Sequence, residues 1–261
     1  QEQYRNIHIS LALTVAITTC LLTAAGLQAA QLKSGYEFIS DEAREMQDDE
    51  FMNPGYAMVE RGSELFHADN DGGKSCASCH GDAGEKLEPA RIAAYPVYDE
   101  KQGKPLSLQH RIHLCSENSG NKPMKYDSDD ALALETFVRN LAKGEKVNVS
   151  VDGPAKPYYE KGKAMFNGRS GQMNMSCQQC HEAYSGMRLR AQVLSQGHSN
   201  GFPAYRLKNQ RVNGLHERFR QCQNLLRAQY LKGGADEYVN LELYLHSRGN
   251  GLPIVTPGVR F

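Results

Sequence analysis

The sequence predicts a mainly α chain built from two tandem units of one design, and two observations carry that prediction. One is a pentapeptide that occurs twice, Cys76-Ala77-Ser78-Cys79-His80 and Cys177-Gln178-Gln179-Cys180-His181. The other is its setting: in both copies an amphipathic stretch precedes it, and a second helical pattern closes the unit. Two thiols at this spacing add to the two vinyl groups of a haem, and the histidine that follows lies beneath the iron as its fifth ligand. Each copy therefore reads as one covalently held haem c, on Cys76 and Cys79 in the first unit and on Cys177 and Cys180 in the second. A zinc site drawing four thiolates from both pairs would leave His80 and His181 unexplained. A disulfide within each pair is the other alternative, and duplication of the whole motif inside a repeat favours haem over both.

Taken in chain order, residues 1–30 read as a secretion signal. Arg5 marks the basic end, an uncharged stretch runs from Ser10 to Ala25, and the small residues near Ala29 and Ala30 suit cleavage. A retained membrane anchor is the alternative, although the many Thr and Ala residues make the stretch only weakly apolar. Cys20 leaves with the signal. Export agrees with the chemistry, because c-type haem is attached outside the cytoplasm. Residues 31–53 have no counterpart in the second half and form an N-terminal extension expected to wrap the surface.

Tyr56 to Phe66 and Pro157 to Phe166 are the paired opening helices, each ending in large apolar residues ahead of a glycine-bearing loop and the cysteines. The closing helices are Asp129 to Leu141, with Leu132, Leu134, Phe137, Val138 and Leu141 on one face, and Glu237 to Leu245, with Val239, Leu241, Leu243, Tyr244 and Leu245. Between the units, Val147 to Pro157 alternates like an extended segment and breaks at Gly153 and Pro154, which suits a linker. The boundary falls near residue 150, giving domains at 31–150 and 151–261. The tail from Gly249 to Phe261 is expected to be irregular. The predicted fold is thus two tandem class I cytochrome c-like domains from an internal duplication, with an N-terminal extension.

Lys plus Arg and Asp plus Glu number 30 each, so the formal net charge is zero and nothing suggests a nucleic-acid binder. After the signal no stretch is apolar enough to cross a membrane, and a soluble mature protein is expected.

What separates a catalyst from an electron carrier is the sixth position on each iron. In the first unit the candidates are Met124, placed where simple cytochromes carry their methionine, and Cys115, His110 and His113. In the second they are His198, His216, Cys222 and His246. Of seven cysteines, Cys20 and the four in the motifs leave Cys115 and Cys222, one per unit at a similar distance after its histidine. They either bridge each other as a disulfide or supply one thiolate to each iron. Just before Cys222, the run from Arg206 to Arg220 carries five fixed cations, among them Lys208 and Arg218, and one acid. Such a run is ordinarily a solvated face. Ending on a soft nucleophile, it can also lower a thiol's pKa and clasp a sulfur oxyanion.

The motifs around Cys76, Cys115 and Cys177, the stretch Leu194 to Lys208, the segment His216-Glu217-Arg218-Phe219-Arg220-Gln221-Cys222 and Ser247-Arg248-Gly249-Asn250-Gly251 together resemble the SoxA family over almost the whole mature sequence. These are dihaem subunits of the periplasmic SoxAX complex of bacterial thiosulfate oxidation. The resemblance implies two covalently bound haem c groups, with His80 and Cys115 on the first iron and His181 and Cys222 on the second. It implies that Cys222 is catalytic and carried as a persulfide, and that Arg218, Lys208 and Arg248 line the substrate channel. It further implies a heterodimer with the monohaem SoxX, transfer of thiosulfate to a cysteine of the SoxYZ carrier, and electron release to a soluble cytochrome c, all in the periplasm. A dihaem electron carrier without covalent substrate chemistry is the alternative.

Overall fold

The computed structural model describes residues 31–261. The secretion signal read at 1–30 lies outside the described residues. The extension forms a single 3-10 turn, Gly35–Phe38, and helix α1, Asp41–Asp48. The first unit then runs α2 (Tyr56–His67), α3 (Cys76–His80), α4 (Pro89–Ala93), the antiparallel hairpin β1 (Val97–Asp99) and β2 (Lys104–Leu106), α5 (Leu108–Asn118) and α6 (Asp129–Asn140). The second runs α7 (Lys156–Asn167), a π-helical turn Gln179–Ala183, the short pair β3 (Arg188–Leu189) and β4 (Gln192–Val193), the hairpin β5 (Ala204–Arg206) and β6 (Arg211–Asn213), α8 (Leu215–Leu225), α9 (Asp236–Arg248) and β7 (Gly258–Arg260).

The predicted helices form where their signals stand. The α6 helix starts on Ser128, whose hydroxyl accepts from the Ala131 N–H, with Asp129 and Asp130 in the first turn. Its partner α2 crosses it at Gly62, and α7 crosses α9 at Gly162. In both places the backbones touch, and aromatic pairs seal the crossing, Phe66 with Phe137 at 5.1 Å between centroids and Phe166 with Tyr244 at 5.2 Å.

Three parts depart from expectation. The hairpins β1–β2 and β5–β6 have no counterpart in the predicted helical plan; each delivers the helix that bears the unit's lone cysteine. The expected linker is part of the core: Val147 and Val149 are buried beside Leu243 and Ile254, because alternation turns every second residue inward. The tail is not wholly irregular either. Ile254 is 1 % exposed, Val259 is fully buried, and β7 pairs in parallel with β5. The extension pins this tail, since Gln47 Oε1 accepts from Val259 N–H at 2.9 Å and from Arg260 Nη1 at 2.6 Å.

Between α6 and α9 lies a buried polar repeat. In the first half the Asp127 N–H donates to Gln109 Oε1 at 2.7 Å, and Gln109 Nε2 donates to Glu135 at 2.8 Å. At the same places in the second half the Gly234 N–H meets His216 Nδ1 at 3.0 Å, and His216 Nε2 meets Glu242 at 3.0 Å. Arg139 reaches across to Glu242 at 3.6 Å. Burial pushes Glu135, which faces a neutral amide, up to about 7. Burial acts on Glu242 in the same sense, but His216, His246 and Arg139 outweigh it and hold the carboxyl down at about 2.

The sign follows from linkage: a carboxyl held below its unfolded value stabilises the fold above pH 4.5, and that stability is lost as pH falls toward 2. Glu135 titrates in the opposite sense and at higher pH. Burial holds His110, His198 and His246 down at about 4, so they shed stability as pH falls from 6.5 to 4, and Glu242 supplies a further part of the acid limb below pH 4.5. Glu242→Gln should cost about 3–5 kcal/mol at pH 7, as breaking a buried pair does. Urea midpoints measured from pH 7 to 3 should then fall less steeply for the variant than for the parent; parallel curves would remove Glu242 from this role.

Among the described residues, no helix is long and apolar enough to cross a membrane.

Candidate haem and sulfur site

The second motif occupies a tight turn that presents Cys177, Cys180 and His181 on one side. The His181 Nδ1–H donates to the Ser195 carbonyl at 2.8 Å, which fixes the ring and leaves its other nitrogen for the sulfur of Cys222, with which it hydrogen-bonds. Gly197 lies flat against the imidazole at φ +78°, and a Cβ there would come within 2.9 Å of the ring. From the opposite side α8 delivers Cys222, half-buried and unbridged.

The electrostatics single out this sulfur. Burial, then the neighbouring Cys222, pushes the Cys177 thiol up to about 12, and Cys180 moves up for the same reasons. Burial also acts to raise Cys222, but the Arg218 guanidinium, the His181 hydrogen bond and the Arg206 charge overcome it and bring the thiol down to about 7.

The structure sorts the cationic run. Arg211 pairs with Glu217, and Arg220 with Asp127 at 3.1 Å. Among the described residues Arg206, Lys208 and Arg218 have no carboxylate partner. Lys208 stands exposed at the turn between β5 and β6, and Arg218 reaches only Gln221 Oε1, at 3.5 Å. Arg248 is placed differently from these. It bridges to Glu182 at 3.0 Å, donates to the Gln196 carbonyl at 3.2 Å and stacks 4.6 Å over Phe166, so its charge is already satisfied.

In the first half Cys76, Cys79, His80 and Cys115 line one small cavity together with Ser75, Ser116, Ser119 and Asn121. Met124 does not line it; it packs against the apolar core instead. His113 is buried edge-on against Tyr126, 5.9 Å between ring centroids, with its Nε2 unpartnered, and it does not line the cavity either. The other histidine candidates have other work. His216 is held by Glu242 and Gly234, and His246 Nδ1 lies 3.1 Å from both Ser199 Oγ and the Glu242 carbonyl. His110 is engaged by Ser107 at 2.9 Å and His198 by Gln196 at 3.2 Å. Cys115 and Cys222 are both free, so no disulfide joins them. Among the described residues no cluster of three or more His, Cys, Asp or Glu side chains could hold a bare metal ion, which weighs against the shared zinc site.

The donor sets fit haem c: in each half a Cys-x-x-Cys pair stands beside a histidine, with one further sulfur close by. Sequence reasoning quoted Arg206 and Gly197 within longer stretches and singled out neither. Arg206 gave no separate signal in a cationic run, and the closeness of Gly197 to His181 exists only in the folded chain.

Fold and site together define a duplicated c-type cytochrome. A family model for the SoxA/TsdA cytochrome c domain matches residues 61–147 and 161–254. The chain is 40 % identical over 230 residues to the L-cysteine S-thiosulfotransferase subunit SoxA of Pseudaminobacter salicylatoxidans, covering 87 % of this chain and 80 % of that one. It is 38 % identical over 232 residues to the SoxA subunit of Rhodovulum sulfidophilum, covering 88 % and 80 %. The crystal structure of SoxXA from P. pantotrophus superposes with a TM-score of 0.84 at 38 % identity, covering 88 % of this chain and 87 % of that chain. The chain belongs to the SoxA family of cytochrome c domain proteins, and as such binds haem c covalently.

Proposed function

We propose that this chain is the thiosulfate-conjugating subunit of an L-cysteine S-thiosulfotransferase, the activity named for its SoxA relatives. The observation that carries the proposal is Cys222: a sulfur facing a motif histidine, its thiol drawn down to about 7 beside an arginine with no carboxylate partner. Cys76 and Cys79 together with His80 and Cys115 would hold one haem c, and Cys177 and Cys180 together with His181 and Cys222 would hold a second. Bound haem c supplies one-electron redox chemistry beside each sulfur.

The Cys222 thiolate forms an S–S bond with the sulfane sulfur of thiosulfate, and two electrons leave. Arg218, helped by Lys208 at the open turn, holds the sulfonate through charged hydrogen bonds and orients the sulfane end toward Cys222. A thiolate on the carrier then attacks that sulfane sulfur, the bond to Cys222 breaks, and Cys222 departs as thiolate. The net change joins thiosulfate and one cysteine thiolate into an S-thiosulfonate with loss of two electrons. The partners are the SoxX subunit, the SoxYZ carrier and a soluble cytochrome c acceptor, and the location is the periplasm.

Incubating the complex with thiosulfate and an oxidised cytochrome should add sulfur or thiosulfate mass to the peptide bearing Cys222; a permanently unmodified Cys222 would sink the proposal. Arg218→Ala should weaken thiosulfate binding by about 1.5–3 kcal/mol, the worth of a hydrogen bond to a charged group. Initial rates against thiosulfate concentration measure it, and an unchanged concentration dependence would remove Arg218 from the site.

A further inference from the structure

The duplication supplies its own control for the sulfur site. The α5 and α8 helices correspond position by position: Cys115 matches Cys222, and one turn ahead of each stands an arginine, Arg111 or Arg218. Their hairpins correspond as well, with Asp99 opposite Lys104 at the end of the first and Arg206 opposite Arg211 at the end of the second. In the first half Arg111 is fully engaged. Its Nη2 donates to the Asp99 carboxylate and its Nε to the Tyr95 hydroxyl at 3.1 Å.

Both partners are missing where the second half needs them. Tyr95 is matched by Phe202, which has no hydroxyl, and Asp99 is matched by Arg206, which adds a second cation instead of an acid. Arg206 is only 6 % exposed and has no carboxylate partner among the described residues. Burial, then the charge of Arg218, brings its guanidinium down to about 9. A buried, unpaired guanidinium beside a second one is costly unless an anion completes it. The Cys222 sulfur is a single charge. A sulfonate-bearing ligand offers the further oxygens that two guanidinium forks can take up.

We infer that the exchange of Asp99 for Arg206 at corresponding hairpin positions, together with Tyr95 for Phe202, decides which of the two cysteine sites accepts an oxidised-sulfur anion. The first site is closed by an internal counter-ion, and the second is left for the ligand to neutralise. Arg206 is thereby assigned as a specificity-determining residue alongside Arg218. This inference rests on the reading of Cys222 as the substrate site.

The test uses the complete holo complex and compares alkylation by iodoacetate with alkylation by iodoacetamide, read as peptide masses at Cys222 and Cys115. Both reagents need the same thiolate, so the ratio of their rates cancels thiol pKa and iron ligation and reports the local preference for an anion. The ratio at Cys222 should fall at least tenfold in Arg206→Asp, fall less in Arg206→Gln and survive in Arg206→Lys. It should rise at Cys115 in Asp99→Arg. In parallel the KM for thiosulfate should increase about tenfold or more in Arg206→Gln and stay at the parent value in Asp99→Asn.

An unchanged ratio and KM in Arg206→Gln would overturn the inference. A loss in Arg206→Lys equal to that in Arg206→Asp would overturn it too, by marking a merely structural role. Should the Arg206 variants fail to fold, Asp99→Arg decides alone, and no gain of iodoacetate preference at Cys115 counts against the idea. Thiosulfate turnover by Cys222→Ala separates the two levels: retained turnover refutes the underlying reading, whereas lost turnover with unaltered Arg206 variants refutes only this inference.

Discussion

Cys222→Ala abolishes conjugation of thiosulfate to the carrier cysteine, lowering the rate on the order of a thousandfold or more, as removal of a covalent nucleophile does. Haem absorbance per mole of chain stays at the parent value, because the thioethers are made by Cys177 and Cys180 and not by Cys222. The expectation follows from how the site is built. The α8 helix brings one sulfur opposite His181, whose ring is held from behind by the Ser195 carbonyl, and the cations of β5 and α8 draw that thiol down against the push of burial. Alanine removes the atom and leaves the scaffold, since Cys222 is not among the buried side chains that make the second core. The measurement is the mass of the carrier peptide after a fixed time with thiosulfate and oxidised cytochrome. Turnover near the parent rate, with haem intact, would show that the sulfur is a bystander and favour a plain electron carrier.

Much of this site was legible in the chain before folding. The paired pentapeptides marked the cysteines and histidines, and simple accounting of cysteines led to Cys115 and Cys222. Spacing alone left Met124 in contention for the first haem; only the folded chain turns it onto the core while Cys115 lines the cavity with His80. The cationic run was visible as charge, but its partition was not, because Arg220 finds Asp127 far away in sequence while Arg211 finds Glu217 nearby. The hairpins escaped notice for a physical reason. Each strand is three residues long, too short for alternation to stand out, and β2 contains Pro105. Their pairing creates the contrast between Asp99 and Arg206, which no linear reading of either half displays.

Gly162→Ala is expected to destabilise the second helix crossing strongly. Gly162 sits where α7 crosses α9, and a Cβ there would lie 1.9 Å from the Asn240 carbonyl oxygen, 2.6 Å from its carbon and 3.0 Å from the Tyr244 Cβ. Two of the three obstacles are backbone, so no side-chain rotation relieves them and the helices must separate. Separation opens the Phe166–Tyr244 contact and strains the second core around Tyr238 and Leu241. Overpacking of this kind costs roughly 3 kcal/mol or more. For a chain of this size that corresponds to a fall in Tm of about 6–12 °C.

The first half repeats the arrangement, with a Cβ on Gly62 meeting the Ala133 oxygen at 2.1 Å, so Gly62→Ala should fall by a comparable amount. Gly72→Ala is the control: it meets only the Asn70 side-chain oxygen, at 3.2 Å, and should leave Tm within about 2 °C of the parent. Thermal unfolding followed by circular dichroism compares all three. A Gly162→Ala protein as stable as the control would mean that α7 and α9 can part without loss, and the repeated helix crossing would lose its place as the structural core of each unit.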